Sequence, residues 1–257
     1  MISHPQDTSP APALRGKTVL VAGAAGGIGE GITRVLLQSG ARVVAVGRKL
    51  PSLEDLARRM GADSKQLVIQ AMDLAQPDSG MGTRQILQDH GTLDGAVVAI
   101  GEWGTPGRRS ILELSEQDWE HALATRQTSV FRAMRTLLPA TAATGALVNF
   151  NGYSADIPFP GSALVGMTNA AMKSLTISLA AEIGPRGPRI HELILGVVRT
   201  RARQLAGIDD ERWISNLQVG AHVAALVART HPLSGTVLQY LVDAQSGPQP
   251  DPPAGRR

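Results

Sequence analysis

Four glycines fall within seven residues, at Gly23, Gly26, Gly27 and Gly29. A β-branched apolar run, 17–22, precedes them; after them Ile32, Val35 and Leu36 recur at helical spacing as far as Gly40. A second apolar run, 41–47, leads to Arg48. A buried strand that breaks into a glycine turn, continues as a helix and returns as a strand is the unit that holds a dinucleotide. Its glycines let the backbone approach a pyrophosphate, and the amides at the helix start face the anion. The spacing is Gly-x-x-x-Gly-x-Gly, not the Gly-x-Gly-x-x-Gly of the general motif. A site for NAD places an acid near the end of the second strand, on the ribose 2′-hydroxyl. Here no acid occurs between Glu30 and Glu54, and Arg48 and Lys49 stand in that place. Two bases there suit a 2′-phosphate and predict NADP(H); the blander reading is a solvated basic turn.

Composition narrows the class. Hydrophobic residues make up 43% of the 257, enough to give one α/β domain a full core. With no cysteine there is no disulfide, thiolate metal site or catalytic thiol. The six histidines are scattered and none has metal-ligand spacing. The net charge is only +3, aromatics are 3%, and the arginines are spread along the chain, which argues against a nucleic-acid partner. No apolar run approaches the roughly 18 residues of a membrane span. The first residues lack a signal-peptide pattern, so the expected setting is cytoplasmic.

Residues 1–15 carry Pro5, Pro10 and Pro12 and are expected to form a flexible tail. Further strands are predicted over 66–72, 93–100, 146–150, 189–195 and 235–242. Helices are predicted over 53–60, 78–90, 162–183, 201–217 (weakly patterned) and 221–229. Ser115 with Asp118 three residues later resembles a capping box and opens a helix predicted to run to about 138, before Pro139. The end, 244–257, is rich in Pro, Gly and Gln and is expected to be disordered. Strands alternating with helices give an α/β fold: a doubly wound parallel sheet of about seven strands, a Rossmann fold, in a single domain over 16–243. A substrate lid is expected near 201–218. Ligands in such sheets lie beyond the carboxyl ends of the strands. Those ends are the Gly23 turn, Arg48, Asp73, Gly101, Asn151 with Gly152, and Gly196.

From about residue 16 to 243 the chain resembles the short-chain dehydrogenase/reductase family. The resemblance rests on Gly23, Gly27, Ile28 and Gly29, on Asp73-Leu74, Leu93-Asp94 and Leu147-Val148-Asn149, on the helical stretch 175–182, on Gly184 to Gly187, and on Gly235 before the last strand. It implies that Gly23, Gly27, Ile28 and Gly29 line a pyrophosphate, that Arg48 faces the 2′-phosphate, and that Asp73 and Leu74 border the adenine. Thr200 resembles the family's Thr beside the carboxamide, and Gly101 the last glycine of an Asn-Asn-Ala-Gly stretch. The residues before Gly101 are instead Val98, Ala99 and Ile100.

The catalytic positions depart from the family. Counting back from Leu175, the family's Tyr falls on Val165 and its Lys on Asn169; its Ser falls on Gly152, and the Asn of the preceding helix on Arg126. No Tyr-x-x-x-Lys exists, since the only tyrosines are Tyr153 and Tyr240. Losing a general acid typically costs about 10²- to 10⁴-fold, which weakens a reductase without abolishing it. Candidate substitutes are Arg126 for the oxyanion, Tyr153 for the proton, Asn151 as an orienting group and Asn169 for ribose hydroxyls. The first three have a structural alternative: for Arg126 pairing with a carboxylate or a partner subunit, for Tyr153 a packed loop aromatic, for Asn151 a strand-end bond to backbone. Glu102 and Trp103 are expected to border the substrate, and His191 to be structural.

Three functions compete. The first is an atypical NADPH-dependent reductase of a ketone, aromatic or polyketide-like, taking its proton from water, Tyr153 or the substrate. The second is a non-redox cyclase, dehydratase or isomerase on the same fold. The third is a non-catalytic partner of an active homologue. Expected partners are a small-molecule substrate and copies of the chain, as a homodimer or homotetramer through helices 115–138 and 162–183.

Overall fold

The computed structural model describes residues 14–77, 80–101 and 108–253. The chain alternates strand and helix: β1 (Thr18–Ala22), α1 (Gly27–Gln38), β2 (Arg42–Gly47), α2 (Leu50–Met60), β3 (Leu67–Ala71), α3 (Met81–His90) and β4 (Leu93–Val98). Then α4 (Glu116–Ala122) passes through a π-helical segment (Leu123–Thr128) into α5 (Ser129–Leu137), followed by β5 (Thr141–Gly152) and α6 (Ala163–Ile183). The last part holds β6 (Arg189–Leu195), β7 (Val198–Arg199), α7 (Arg201–Leu205), β8 (Ile214–Ser215), α8 (Asn216–Ala228) and β9 (Leu238–Leu241).

Seven strands form one parallel sheet in the order β3-β2-β1-β4-β5-β6-β9. β1 lies between β2 and β4, so the strand order reverses there, where a doubly wound sheet opens a crevice. The predicted fold class is the observed one. Alternation within the strands divides the core in two. Val19, Val21, Val43 and Ala45 point to one face, against Ile32 and Leu36 of α1, Leu53 of α2 and Val223 of α8. Leu20, Ala22, Val44 and Val46 point to the other, against Ile86 of α3, Val130 and Leu137 of α5 and Met172 of α6. Both faces are apolar because helices cover both. On the first face α1 and α8 cross closely: a Cβ at Gly31 would lie 2.5 Å from the Asn216 carbonyl oxygen.

The capping box Ser115–Asp118 forms as predicted. Other boundaries differ. β5 begins five residues before the predicted 146, and the last strand is only Leu238–Leu241. The segment predicted helical over 201–217 holds one short helix, α7, then a loop, and β8 pairs in parallel with β7. α8 starts at Asn216, not at 221, because Ser215 and Gln218 form a second capping box. The expected disorder from 244 onward does not hold as far as Pro253. Tyr240 and Gln249 exchange backbone hydrogen bonds of 2.8 and 2.9 Å, and the Gln218 amide donates to the Ala244 carbonyl. Of the expected tail 1–15, Leu14 is a buried core residue whose amide bonds the Ser39 carbonyl; residues 1–13 and 254–257 lie outside the described residues, as do Glu102 and Trp103.

Candidate functional site

The glycine turn is held by contacts that only glycine permits. Gly23 has φ +79°, and a Cβ on it would sit 2.2 Å from the Ala99 carbonyl oxygen at the end of β4. A Cβ on Gly29 would meet the Gly23 carbonyl oxygen at 2.2 Å. α1 starts on Gly26, which has no side chain to cap the amides of Gly27 and Ile28. This 12-residue helix therefore presents uncapped amides and the positive end of its dipole at the sheet's carboxyl edge, an arrangement suited to an anion. Thr200, the N-cap of α7, lies over this turn, its methyl 2.7 Å from where a Gly27 Cβ would be. Arg48 is exposed just past the end of β2. Past β3, the Asp73 carboxylate accepts from the Ala75 amide and the Gln76 side chain, and Leu74 is buried. The turn after β1, Arg48 after β2 and Asp73 after β3 thus lie side by side along the carboxyl edge of the sheet.

A cavity of about 790 Å³ opens beyond the ends of β5 and β6. Its wall is mostly apolar (Ile157, Phe159, Val165, Leu195, Val197 and Trp213), and Gly152, Tyr153, Ser154 and Asn169 also line it. The Asn169 amide donates to the Ser154 hydroxyl oxygen at 2.7 Å. Ser154 thus keeps its own O–H for a ligand in the cleft. Sequence reasoning passed over Ser154; the signal was a hydroxyl two residues beyond Gly152. The Tyr153 ring is buried edge-on to Tyr240, at 6.3 Å between centroids, and its hydroxyl donates to the Pro253 carbonyl over a long 3.4 Å.

A second, small cavity of about 20 Å³, room for one water, lies behind the first. Arg126, Asn151, Gly101, Thr168 and Asn169 line it, so Asn169 borders both spaces. Arg126 is buried and sits in the π-helical segment between α4 and α5. Such segments widen a helix locally and recur at functional sites. The four candidate catalytic residues are therefore split: Tyr153 on the large cavity, Arg126 and Asn151 on the small one, Asn169 between.

Asn151 is committed to structure. Its amide donates to the Glu192 carboxylate and to the Asn169 carbonyl (2.8 Å), and its carbonyl accepts from the Gly152 amide. Glu192, fully buried on β6, also accepts from Thr176 and Asn149. Burial raises its pKa, and these donors oppose the rise. The network fixes α6 against β5 and so holds Asn169 in place. Lys173, one turn beyond Asn169, donates to Asp156 and to the Tyr240 hydroxyl (2.9 Å). Burial lowers the Lys173 pKa, but these bonds outweigh it and the net shift is upward; burial raises the Tyr240 phenol. A phenol held above its ordinary pKa is not an activated acid. Neither group lines the large cavity.

The model of a family described as enoyl-(acyl carrier protein) reductase matches residues 23–247, from the glycine turn through β9. The chain belongs to the short-chain dehydrogenase/reductase family. Gluconate 5-dehydrogenase of Gluconobacter oxydans is 29% identical over 215 residues, 82% of this chain and 80% of that protein. Among solved structures, a short-chain dehydrogenase/reductase from Serratia marcescens superposes with a TM-score of 0.75 at 24% identity, covering 91% of this chain and 99% of its own. A Shigella flexneri short-chain dehydrogenase complexed with NADP superposes with a TM-score of 0.77 at 20% identity, covering 90% and 98%. These structural likenesses establish the fold. The described helices include none long and apolar enough to cross a membrane.

Proposed function

We propose that this protein is an NADPH-dependent reductase of a ketone that works without the Tyr and Lys of its family. The observation that carries the reading is the uncapped N-terminus of α1 on the same carboxyl edge of the sheet as a large, mostly apolar cleft. The residues present fit a nicotinamide dinucleotide: the turn at Gly23 to Gly29 offers amides to a pyrophosphate, and Arg48 offers a guanidinium fork to a 2′-phosphate. Asp73 and Leu74 close the adenine side, and Thr200 closes the turn from above. The Shigella flexneri relative complexed with NADP supports the same group. When bound, the nicotinamide supplies hydride to a carbonyl carbon. The chain does the rest. Val165 and Gly152, at the family's Tyr and Ser positions, carry no proton. Ser154 hydrogen-bonds the carbonyl oxygen, held in aim by Asn169. The proton comes from water, since the cleft opens to solvent and the Tyr153 hydroxyl is turned toward Pro253. The apolar wall orients the ketone, and positioning of this kind is worth as much as the missing acid.

The same proposal includes assembly with copies of the chain through α4 to α6. Trp119, Phe131 and Ile177 on these helices are each more than 40% exposed, which is costly for large apolar side chains left in water.

Calorimetry of NADPH, NADP and NADH binding to the protein and to Arg48→Ala tests the reading. The expected result is NADPH binding that Arg48→Ala weakens by about tenfold or more while NADH binding is unchanged. No binding of any nicotinamide overturns it.

A further inference from the structure

The mouth of the large cavity is cationic where its wall is apolar. Arg108, Arg203 and Arg212 line it, with Asp243 as the acid among the described lining residues. These charges are not equally available. Arg212 is paired with Asp210 through Nε and a terminal nitrogen (3.0 and 2.6 Å), and nearby Arg199 holds Asp209 in a fork of two 2.7 Å bonds. Asp243 accepts from the Gln245 and Ser246 amides and the Ser246 hydroxyl. The lid's aspartates are thereby consumed by other arginines. Neither Arg108 nor Arg203 has a carboxylate partner among the described residues, but Arg203, on α7, alone is held on a platform: its guanidinium lies 5.5 Å over the ring of Trp213, which itself lines the cavity. A guanidinium stacked on an indole keeps its N–H edge free, and that planar edge matches an oxyanion.

A separate observation concerns what lies around it. Phe159 and Val197, both at the cavity wall, are about 40% exposed, and Leu205 and Ile208 of the lid are more than half exposed. An apolar cavity wall with charged groups among its lining residues suits a ligand with an apolar body.

We infer that the ligand of this cleft is an amphipathic anion: an apolar body with a carboxylate or phosphate held by Arg203 on its Trp213 platform. On the functional reading above, which this inference deepens, the substrate is a ketone bearing an anionic group, with its carbonyl at Ser154 and its oxyanion at the lid.

The test uses three probes of one shape, 3-phenylpropanoate, phenyl phosphate and the neutral 3-phenylpropanamide, titrated by calorimetry into the full chain with and without NADPH. Either or both anions should bind at least about tenfold more tightly than the amide, and added salt should narrow the gap. A preference for one anion says whether carboxylate or phosphate is the natural group, and either supports the inference. Arg203→Gln should erase the discrimination, and Arg203→Lys should restore part of it, keeping charge without the fork. Arg201→Gln, exposed on the same helix but not on the cavity, should leave it intact. Equal binding of amide and anions, no binding of any probe at millimolar concentration, or discrimination that survives Arg203→Gln overturns the inference. These failures would leave NADPH binding untouched, whereas loss of NADPH binding with anion discrimination intact would sink only the reductase reading.

Discussion

At the scale of single residues, the site rests on two kinds of position. Ser154 and Asn169 are joined by one hydrogen bond, and on the proposed function this pair carries the chemistry. Ser154→Ala should lower kcat by about 10²- to 10³-fold with NADPH affinity unchanged, because one oxyanion donor is worth about that much. Ser154→Thr should recover much of the loss; equal kcat in the protein and in Ser154→Ala would remove Ser154 from the mechanism. Gly23 carries geometry alone. Gly23→Ala places a methyl 2.2 Å from a backbone oxygen at φ +79°, so a loss of about 3 kcal/mol or more is expected in chemical denaturation. Gly80, left-handed at φ +85° and ψ +6° with only the flexible end of Arg84 within 4 Å, isolates the backbone effect: Gly80→Ala should cost only about 1 to 2 kcal/mol. Similar losses at both sites would refute the steric account. Gly23 was legible in the sequence because turn glycines cluster. The role of Ser154 was not, because it depends on where Asn169, fifteen residues on, points its amide.

At the scale of elements, three that are distant in sequence share a buried polar cluster below the site. His191 on β6 is bonded to the Thr236 carbonyl, and His222 on α8 bonds the Gln239 side chain on β9 at 2.6 Å. The His231 ring lies edge-on to His222, and the Arg189 charge is close to His191. Burial is the main cause that lowers both His191 and His222 to about 4. A folded pKa below the unfolded value of about 6.5 means that the unfolded chain takes up the protons first. Stability is then flat above pH 6.5, falls as the pH drops from 6.5 toward 4, and levels off below that, by on the order of 3 kcal/mol per histidine. Replacing His191 by Asn and His222 by Gln should flatten urea stability between pH 6.5 and 4; an unchanged slope would assign the acid sensitivity elsewhere. The expectation that His191 is structural agrees with this placement. The cluster itself was invisible in the sequence, since its members are spread from residue 191 to 239 and meet only through parallel pairing of β6 with β9.

At the scale of the whole molecule, the chain is a doubly wound sheet with its ligand edge on one side and a helical flank on another. The apolar side chains of Trp119, Phe131 and Ile177 on that flank are expected to be covered by a second copy. Sedimentation should give a dimer or larger assembly, and Phe131→Glu combined with Ile177→Glu should shift it to monomer with little change in secondary structure. A monomeric protein at micromolar concentration would exclude this interface. The C-terminal segment to Pro253 folds back on β9 and packs beside Tyr153, so it is part of the cleft's frame.

The amino-acid sequence by itself determined the fold class, the glycine turn, the basic residue at the end of β2 and the absence of any Tyr-x-x-x-Lys. Each of these is local: it is written in periodicity, in turn chemistry, or in which residue types are present at all. Only the tertiary structure decided which polar groups are free to act. Asn151 was consumed by Glu192, Tyr153 turned toward Pro253, and Lys173 and Tyr240 locked together with Asp156, while the Ser154 oxygen accepts from Asn169 and the Arg203 guanidinium lies over Trp213. A hydrogen bond or an ion pair between residues far apart in the chain leaves no local pattern, because it is set by the packing of helices on the sheet.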